Sequence, residues 1–251
     1  MRKYIDKTKS IIGLSLSLAK ANFKLRNEGS YLGILWYLLE PLAFFLIIVK
    51  LRNILNIEIE HFQVYLFLGL IMFNLFSKST GAAVRIIETN RGFIKSLKIN
   101  YESFVLGSFL QTLYSHLFEI ILLIIIMVSY GVSPVNLVWY PIILVIYSFF
   151  ILGISFILAI IGTYIKDFNN IWGIFTTLLW FATPIFYFIK EIGLNVLNPL
   201  YHFLTISREI IIYNNFNPNI YFYGIIVASL LTFIIGLMIF RKLKYNLAEK
   251  I

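Results

Sequence analysis

Six long runs of apolar residues dominate this chain, and each is long enough to cross a lipid bilayer. A transmembrane helix needs about 20 largely apolar residues to cross roughly 30 Å of hydrocarbon. The second run is the weakest, because Asn74, Ser77 and Lys78 crowd its end. The runs lie at about 31–50, 62–80, 104–130, 136–164, 169–188 and 220–240. The pattern predicts an all-α integral membrane protein with six transmembrane helices.

The overall composition agrees with a membrane environment. Hydrophobic residues make up 60% of the chain and charged residues only 13%, against roughly 25% charged residues in soluble domains. The absence of cysteine excludes disulfides and thiolate metal sites. The net charge is +9, and the basic residues lie between the apolar runs. This distribution is typical of a membrane orientation signal and not of a nucleic-acid-binding surface.

The basic residues predict the orientation in the membrane. Most of the 21 lysines and arginines lie before the first run, between the second and third runs, after the fourth run and in the tail. Positive charge collects on the cytoplasmic side, so both termini are expected in the cytoplasm. The leading segment carries dispersed lysines and does not resemble a cleaved signal peptide.

Three segments are not expected to span. Residues 1–30 contain lysines and apolar residues on different faces of a helix, which predicts an amphipathic helix at the cytoplasmic interface; a solvated leader is the alternative. Residues 81–100 contain Glu88, Arg91 and Lys95 among apolar residues. This pattern fits either a short helix docked in a groove of another protein or a helix on the lipid headgroups.

Residues 189–219 are expected to form short, re-entrant helices at the outer interface.

Two polar stripes lie within the apolar runs. Polar side chains are costly in hydrocarbon, so their arrangement is informative. For the same reason the carboxylate of Glu40, within the first run, must face protein or water. Either a helix–helix contact or a wet passage explains such stripes. One consists of Ser108, Gln111, Thr112, Ser115 and Glu119, and the other of Trp172, Thr176, Trp180 and Thr183.

Aromatic residues are abundant, at 18% of the chain, and their flat apolar faces suit the C–H face of a sugar ring. An interfacial aromatic belt is the competing explanation, and it is preferred for Trp139, Tyr140 and Tyr187. The other candidates for a passage are Trp36, Tyr37, Phe73, Trp180, Phe181 and Phe186.

Catalytic chemistry has little support in the sequence. There is no G-x-x-x-x-G-K-[ST] phosphate loop, and no group of serine, histidine and carboxylate suggests a nucleophile. His116 and Glu119 could share one helical face, but a single pair is weak evidence for a metal site. We therefore expect no catalytic residue, no metal site and no cofactor in this chain.

Several short strings follow one another along nearly the whole chain. They are RNEGSYLGILW at 26–36, Glu40-Pro41-Leu42, NRGFIK at 90–95, Lys166-Asp167, TPIFY at 183–187, Asn198-Pro199-Leu200 and Arg208. Together they resemble the ABC-2 type permeases, which are the partners of the ATPases that export O-antigen, capsule and teichoic acid. Asn100-Tyr101-Glu102 departs from the Pro-Arg-Glu of many relatives, and Lys166-Asp167 replaces their Arg-Asp.

The resemblance implies a single transmembrane domain over residues 1–251 that forms a homodimer in the bacterial inner (plasma) membrane. Each subunit would dock on a separate ABC ATPase, which binds ATP and Mg²⁺, and would export undecaprenyl-linked polysaccharide. The resemblance gives a channel role to Trp36, Phe73, Trp180 and Phe186, an ATPase-coupling role to Glu88, Arg91, Phe93, Lys95 and Leu97, and a place in the outer gate to Asn198, Pro199 and Arg208. The polar stripes and the aromatic residues add Tyr37, Ser108, Gln111, Thr112, Trp172, Thr176 and Thr183 to the predicted channel residues.

The sequence leaves other functions open. An ABC-2 permease for teichoic acid, a drug or another lipid is one alternative. Drug and hemin exporters of this kind often carry a large external domain between the first two spans, whereas about eleven residues separate them here. A membrane-embedded enzyme of lipid-linked sugar metabolism should carry clustered catalytic charges at one interface, which the sequence lacks. A secondary transporter should show matching broken helices in its two halves, and these are also missing.

Overall fold

The regular structure of this protein is helical wherever the chain is described. The computed structural model describes residues 2–28, 31–54, 56–96, 100–189, 193–215, 218 and 220–250. Three short 3-10 helices cover Gly33–Leu35, Pro134–Trp139 and Gly193–Leu197. The α-helices are α1 Arg2–Asn27, α2 Trp36–Leu51, α3 Phe62–Thr89, α4 Arg91–Ser96, α5 Tyr101–Ser129, α6 Tyr140–Tyr164, α7 Phe168–Ala182, α8 Pro199–Ile211 and α9 Ile220–Lys250.

Four helical stretches are long and apolar enough to cross a membrane. They are Phe62–Thr89, Tyr101–Ser129, Pro134–Tyr164 and Ile220–Lys244, and they indicate a membrane-embedded, multi-pass protein. α2 has 16 residues and α7 has 15, which is fewer than the about 20 that a full helical span needs.

Several helix ends differ from the predicted spans. α3 runs to Thr89 instead of 80, so the first part of the segment at 81–100 continues α3. α7 ends at Ala182 instead of 188, because Pro184 disfavours a helical conformation at the residue before it, and Thr183 is extended with φ −101° and ψ 130°. α9 continues past 240 to Lys250.

α3 lies at the centre of the bundle and contacts α2, α5, α6, α7 and α8. Phe67, Leu68 and Ile71 are fully buried. A helix surrounded by protein meets little lipid, and it can therefore carry polar residues that a lipid-facing helix could not. This position explains why the second apolar run is the least hydrophobic of the four long helices.

The first and last parts of the chain meet at one end of the bundle. α1 packs along α5, where Ser103 Oγ donates to Ile11 O at 3.3 Å. Lys244 Nζ of α9 donates to Glu102 Oε1 of α5 at 2.5 Å. α1, the start of α5 and the end of α9 therefore lie at the same end of the molecule.

The buried face of α1 differs from the apolar face that its sequence predicts, which consists of Ile12, Leu16, Ala19 and Phe23. Ile11, Ser15 and Ala19 are buried, whereas Ile12 and Leu16 are exposed by 51% and 45%. Small residues at the contact let two helices approach closely, which leaves the larger apolar side chains on the outer face of α1.

α6 and α9 form the most extensive helix pair, and two glycines permit their close approach. A Cβ atom on Gly153 would overlap the backbone of Thr232, and one on Gly236 would overlap the backbone of Gly153. Small residues at such crossings are typical of helices packed within membranes.

Candidate functional site

A cavity of about 480 Å³ lies between α2, α3 and α7, and we call it the α2/α3/α7 cavity. It combines aromatic rings with hydroxyl, amide and carboxylate groups. Phe73, Thr176 and Trp180, three of the residues predicted to line a passage, lie in its wall. The other lining residues are Glu40, Phe44, Leu70, Asn74, Ser77, Thr177 and Phe181.

A second cavity, of about 530 Å³, adjoins the first along α2. It shares Glu40 and Phe44 with the α2/α3/α7 cavity and is also lined by Trp36 and Tyr37. The ring of Tyr37 is buried and stacks on Phe23 of α1 at 5.7 Å. Five of the predicted channel residues thus border two cavities that share the Glu40 side of α2.

The periodicity of α7 explains how three of its side chains reach the bundle. Trp172, Thr176 and Trp180 lie on the face toward α3, while residues such as Ile174 and Leu178 are exposed by 65% and 64%. Trp172 Nε1 donates to Thr80 Oγ1 of α3 at 3.1 Å. Trp172 lines a third cavity, of about 670 Å³, which is mainly apolar.

A chain of charged and polar side chains connects four elements beside the α2/α3/α7 cavity. Lys78 Nζ of α3 lies 2.8 Å from Glu40 Oε2 of α2 and 3.8 Å from Glu119 Oε1 of α5. Glu119 Oε2 lies 2.8 Å from His116 Nδ1, and His116 Nε2 lies 2.7 Å from the hydroxyl of Tyr140. Buried charges persist when they are paired and hydrogen-bonded, so these partners make the polar residues compatible with the bundle interior.

Sequence reasoning did not identify this charged cluster. It required Glu40 to face protein or water, and it noted the helical spacing of His116 and Glu119. A signal was present, since Glu40, Lys78 and Glu119 are charges of opposite sign in three separate apolar runs. No group of three or more possible metal ligands occurs among the residues that the structure describes, and His116 and Glu119 bind each other.

The polar stripe of α5 has a different environment from the stripe of α7. Ser108 Oγ donates to Val105 O at 3.2 Å, and Thr112 Oγ1 donates to Ser108 O at 3.1 Å. Hydroxyl groups in a helix commonly bond to carbonyls of the preceding turn. Ser108, Gln111 and Thr112 do not line the two cavities beside Glu40, so their place in a channel stays a prediction.

Thr183 and Phe186 belong to the extended segment after α7. Thr183 is buried, donates to Leu179 O at 2.7 Å and accepts from Asn198 Nδ2 at 3.1 Å. The ring of Phe186 lies 5.3 Å from that of Trp180. These contacts connect the end of α7 to the start of α8.

Asn198, Pro199 and Arg208 all belong to the α8 region. Asn198 Oδ1 accepts from Leu200 N at 3.0 Å and caps α8, and Pro199 takes the first helical position, where its missing N–H costs nothing. Arg208 is 3% exposed, and its guanidinium carbon lies 3.4 Å from the ring centroid of Tyr65. Burial lowers the pKa of Arg208 to about 10, so it is still charged near neutral pH.

Arg208 holds the non-helical chain that follows α7. Its guanidinium donates to Pro184 O at 2.8 Å, to Ile185 O at 2.9 Å and to Tyr65 O at 3.2 Å. The hydroxyl of Tyr65 donates to Tyr187 O at 3.0 Å. The backbone carbonyls of Pro184, Ile185 and Tyr187, which lie outside any helix, therefore accept hydrogen bonds from these two side chains. Irregular backbone near a membrane interior requires such partners.

The segment predicted to couple to an ATPase forms the end of α3 and the short helix α4. Glu88, Arg91 and Phe93 are exposed. Asn90 lies between the two helices, and its Nδ2 donates to Ile86 O of α3 at 2.7 Å. Lys95 belongs to α4, but its side chain lies outside the described part of the structure. Leu97 lies outside the described residues altogether.

Comparisons with known proteins give consistent matches. The family model for the ABC-2 type transporter matches residues 14–212. The O-antigen export system permease protein RfbA of Myxococcus xanthus is 28% identical over 216 residues, covering 82% of this chain and 83% of the relative. An RfbA of Klebsiella pneumoniae is 26% identical over 251 residues, covering 95% of each chain. The polysialic acid transport protein KpsM of Escherichia coli is 27% identical over 228 residues, covering 84% of this chain and 85% of the relative.

Proposed function

Because this chain belongs to the ABC-2 type transporter family, we propose that it is the transmembrane subunit of an ATP-driven exporter of undecaprenyl-linked polysaccharide. ATP hydrolysis takes place on a separate nucleotide-binding subunit, and ATP and Mg²⁺ bind there. The chain itself has no catalytic role and moves its substrate from the cytoplasm across the bacterial inner (plasma) membrane.

The near full-length similarity to glycan export permeases carries this proposal. The relatives named for O-antigen export and for polysialic acid transport have one substrate property in common, since both substrates are sugar polymers. The cavity lined by Phe73, Trp180 and Thr176 supports the same substrate class, because aromatic faces stack on sugar rings while hydroxyls exchange hydrogen bonds with them.

Six spans follow if α2 and α7 cross the bilayer together with their flanking segments. At 1.5 Å per residue, 16 and 15 residues reach about 24 and 22 Å, which is short of roughly 30 Å of hydrocarbon. The 3-10 helix before α2 and the extended residues after α7 supply the missing length. The carbonyls that Arg208 and Tyr65 bind support such a non-helical continuation within the protein interior.

The orientation with both termini in the cytoplasm is supported by the end-to-end arrangement of the helices. The basic leader α1 packs on the start of α5, and the end of α9 bonds to Glu102 there. The basic leader, the basic residues that precede α5 in the sequence and the basic residues at the end of α9 therefore share one end. That end is the cytoplasmic one by the positive-inside rule. α1 then lies at the interface, and α8 belongs to an outer gate that includes Asn198, Pro199 and Arg208.

The partners are a second copy of this chain and the ATPase. α7 exposes the large apolar side chains of Ile174, Leu178 and Phe181, which suit either lipid or a second transmembrane subunit. The exposed Glu88, Arg91 and Phe93 at the end of α3 and in α4 suit a groove on the ATPase, since a short helix with apolar and charged side chains is a common docking element.

Deletion and complementation in the native host test the proposed function. Loss of the gene should abolish surface polysaccharide and leave lipid-linked glycan inside the cell.

Complementation with the Trp180→Ala variant should restore several-fold less surface polysaccharide than complementation with the unaltered gene, because Trp180 lines the α2/α3/α7 cavity. Trp139→Ala is the matched control, since Trp139 lines neither that cavity nor its neighbour along α2. Normal surface polysaccharide in the deletion strain would reject the function, and equal export by the two variants would reject the channel position of Trp180.

A further inference from the structure

A pocket of about 210 Å³ lies beside α8. The contacts of Arg208 and Tyr65 account for those two polar residues of its lining, but they do not involve Thr205 or Glu209. We call it the α8 pocket. Its volume is below the roughly 300–1,000 Å³ of pockets for drug-sized ligands, so it suits about one ring. It is lined by Tyr65, Pro184, Phe188, Ile189, Tyr201, Thr205, Arg208, Glu209 and Tyr213.

One face of α8 supplies the polar groups of this pocket. Tyr201, Thr205 and Glu209 are spaced four residues apart, so they lie above one another on one side of the helix. Within the described part of the chain, neither the Thr205 hydroxyl nor the Glu209 carboxylate has a hydrogen-bond partner. Partial burial raises the pKa of Glu209, as expected for a carboxylate with reduced access to water.

An anion is a poor occupant for this pocket. Arg208 has five N–H donors, and four of its N–H···O contacts go to the carbonyls of Tyr65, Pro184 and Ile185. Little of its hydrogen-bonding capacity is left for a phosphate. The carboxylate of Glu209 in the same wall would also repel an anion.

A cation is disfavoured as well, although aromatic rings beside a carboxylate can form a cage for an ammonium group. The guanidinium of Arg208 already lies over the ring of Tyr65 at 3.4 Å, and it places a positive charge in the wall of the pocket. Arg208 and Glu209 together leave the wall with no net charge, which favours a neutral ligand.

We infer that the α8 pocket is a binding subsite for one neutral sugar ring of the exported glycan. The Glu209 carboxylate and the Thr205 hydroxyl accept hydrogen bonds from sugar hydroxyls, and the ring of Tyr201 offers an apolar face for stacking. Tyr65 lies near the start of α3 and α4 follows its end, so the pocket is at the opposite end of α3 from the ATPase-coupling segment. This inference rests on the proposed function, and it places the subsite at the exit side of the transporter.

Binding of soluble sugars to the purified full-length chain tests the inference. The probes are the methyl glycosides of glucose, galactose and N-acetylglucosamine, and binding is followed by saturation-transfer NMR with irradiation of aromatic protons. We expect at least one glycoside to bind. Glu209→Gln should weaken binding about tenfold, because hydrogen bonds to charged groups are the stronger ones. Thr205→Val keeps the side-chain shape and should weaken binding by about threefold to fivefold.

Thr163→Val is the matched control, because Thr163 lies on α6 and its hydroxyl bonds to Ala159 O. It should leave sugar binding unchanged, and gel filtration verifies that all three variants are folded. Failure of every glycoside to bind, equal binding by Glu209→Gln and the unaltered chain, or stronger binding of inorganic phosphate or choline at this pocket would overturn the inference. Sugar binding by a chain that exports no glycan would reject the proposed function alone, and export without sugar binding would reject the subsite alone.

Discussion

At the residue scale, Lys78 of α3 forms ion pairs with residues that are distant from it in the sequence. It contacts Glu40 of α2 and Glu119 of α5. The sequence predicted that Glu40 faces protein or water, because a carboxylate in hydrocarbon is costly. It could not predict the partner, since pairing across helices depends on rotation and depth in the bundle and not on spacing along the chain.

Lys78→Met should destabilise the protein. Breaking a buried pair costs about 3–5 kcal/mol, but Glu40 is half exposed, so we expect a loss of about 2 kcal/mol. That loss corresponds to a fall in Tm of about 4–8 °C in detergent, measured by heating followed by gel filtration. Lys166→Met is the control, because Lys166 is exposed in the turn between α6 and α7.

A double substitution separates pairing from simple loss of a lysine. Glu40→Gln combined with Lys78→Met should lose less stability than the sum of the two single changes, because neither partner is left as an unpaired charge. Additive losses would show that Glu40 and Lys78 do not stabilise each other.

At the element scale, hydrophobic runs predicted the positions of the long helices well and their ends less well. α6 lies within the predicted fourth run, α5 begins three residues before the third run, and α9 extends ten residues past the sixth run. α3 is longer than its run. Asn74, Ser77 and Lys78 are partly buried in the bundle, and the added part carries the exposed Arg85, Glu88 and Thr89, so a run of apolar residues could not predict where this helix ends. The end of α7 at Ala182 could have been predicted from Pro184.

The two polar stripes show what helical spacing can and cannot establish. The spacing of Trp172, Thr176 and Trp180 correctly grouped them on one face, which packs toward α3. The α5 stripe has the same periodicity, but Ser108, Gln111 and Thr112 do not line the two cavities beside Glu40. Spacing identifies a common face, and only the neighbouring helices determine whether that face borders a cavity.

Gly236→Ala should weaken the α6–α9 pair. A Cβ atom at Gly236 would overlap the backbone of Gly153, and backbone cannot move aside as a flexible side chain can. We expect a loss of about 2 kcal/mol, within the range for overpacked interiors, seen as a lower Tm. Gly224→Ala on the same helix is the matched control, because nothing lies within 4 Å of an added Cβ there. Equal stability of the two variants would contradict the close approach of α6 and α9.

At the scale of the whole molecule, the fold separates α4 and the predicted ATPase-coupling segment, which we call the coupling end, from the α8 end. α4 and the exposed Arg91 follow α3 at one end, while Tyr65, Arg208 and the α8 pocket lie at the other. α3 connects the two ends and borders the α2/α3/α7 cavity along its length. A displacement of α4 by a closing ATPase would therefore act on the helix that contacts both the cavity and the α8 region.

Charge reversal at the coupling end should release the ATPase. Replacing Arg91 and Lys95 with glutamate should lower co-purification of the ATPase at least severalfold, because opposite charge on a docking surface slows association and repels the partner. Lys50→Glu is the control, since Lys50 is exposed on the opposite side by the predicted orientation. Full recovery of the complex with the double variant would reject the docking role.

Transport in proteoliposomes that contain this chain and its ATPase tests the function most directly. Lipid-linked glycan is incorporated in the liposomes, and its appearance on the far leaflet is measured with a membrane-impermeant lectin or glycosidase. We expect glycan to cross only when ATP and both proteins are present. Transport without the ATPase, or ATP hydrolysis by both proteins with no glycan crossing, would contradict the proposed function.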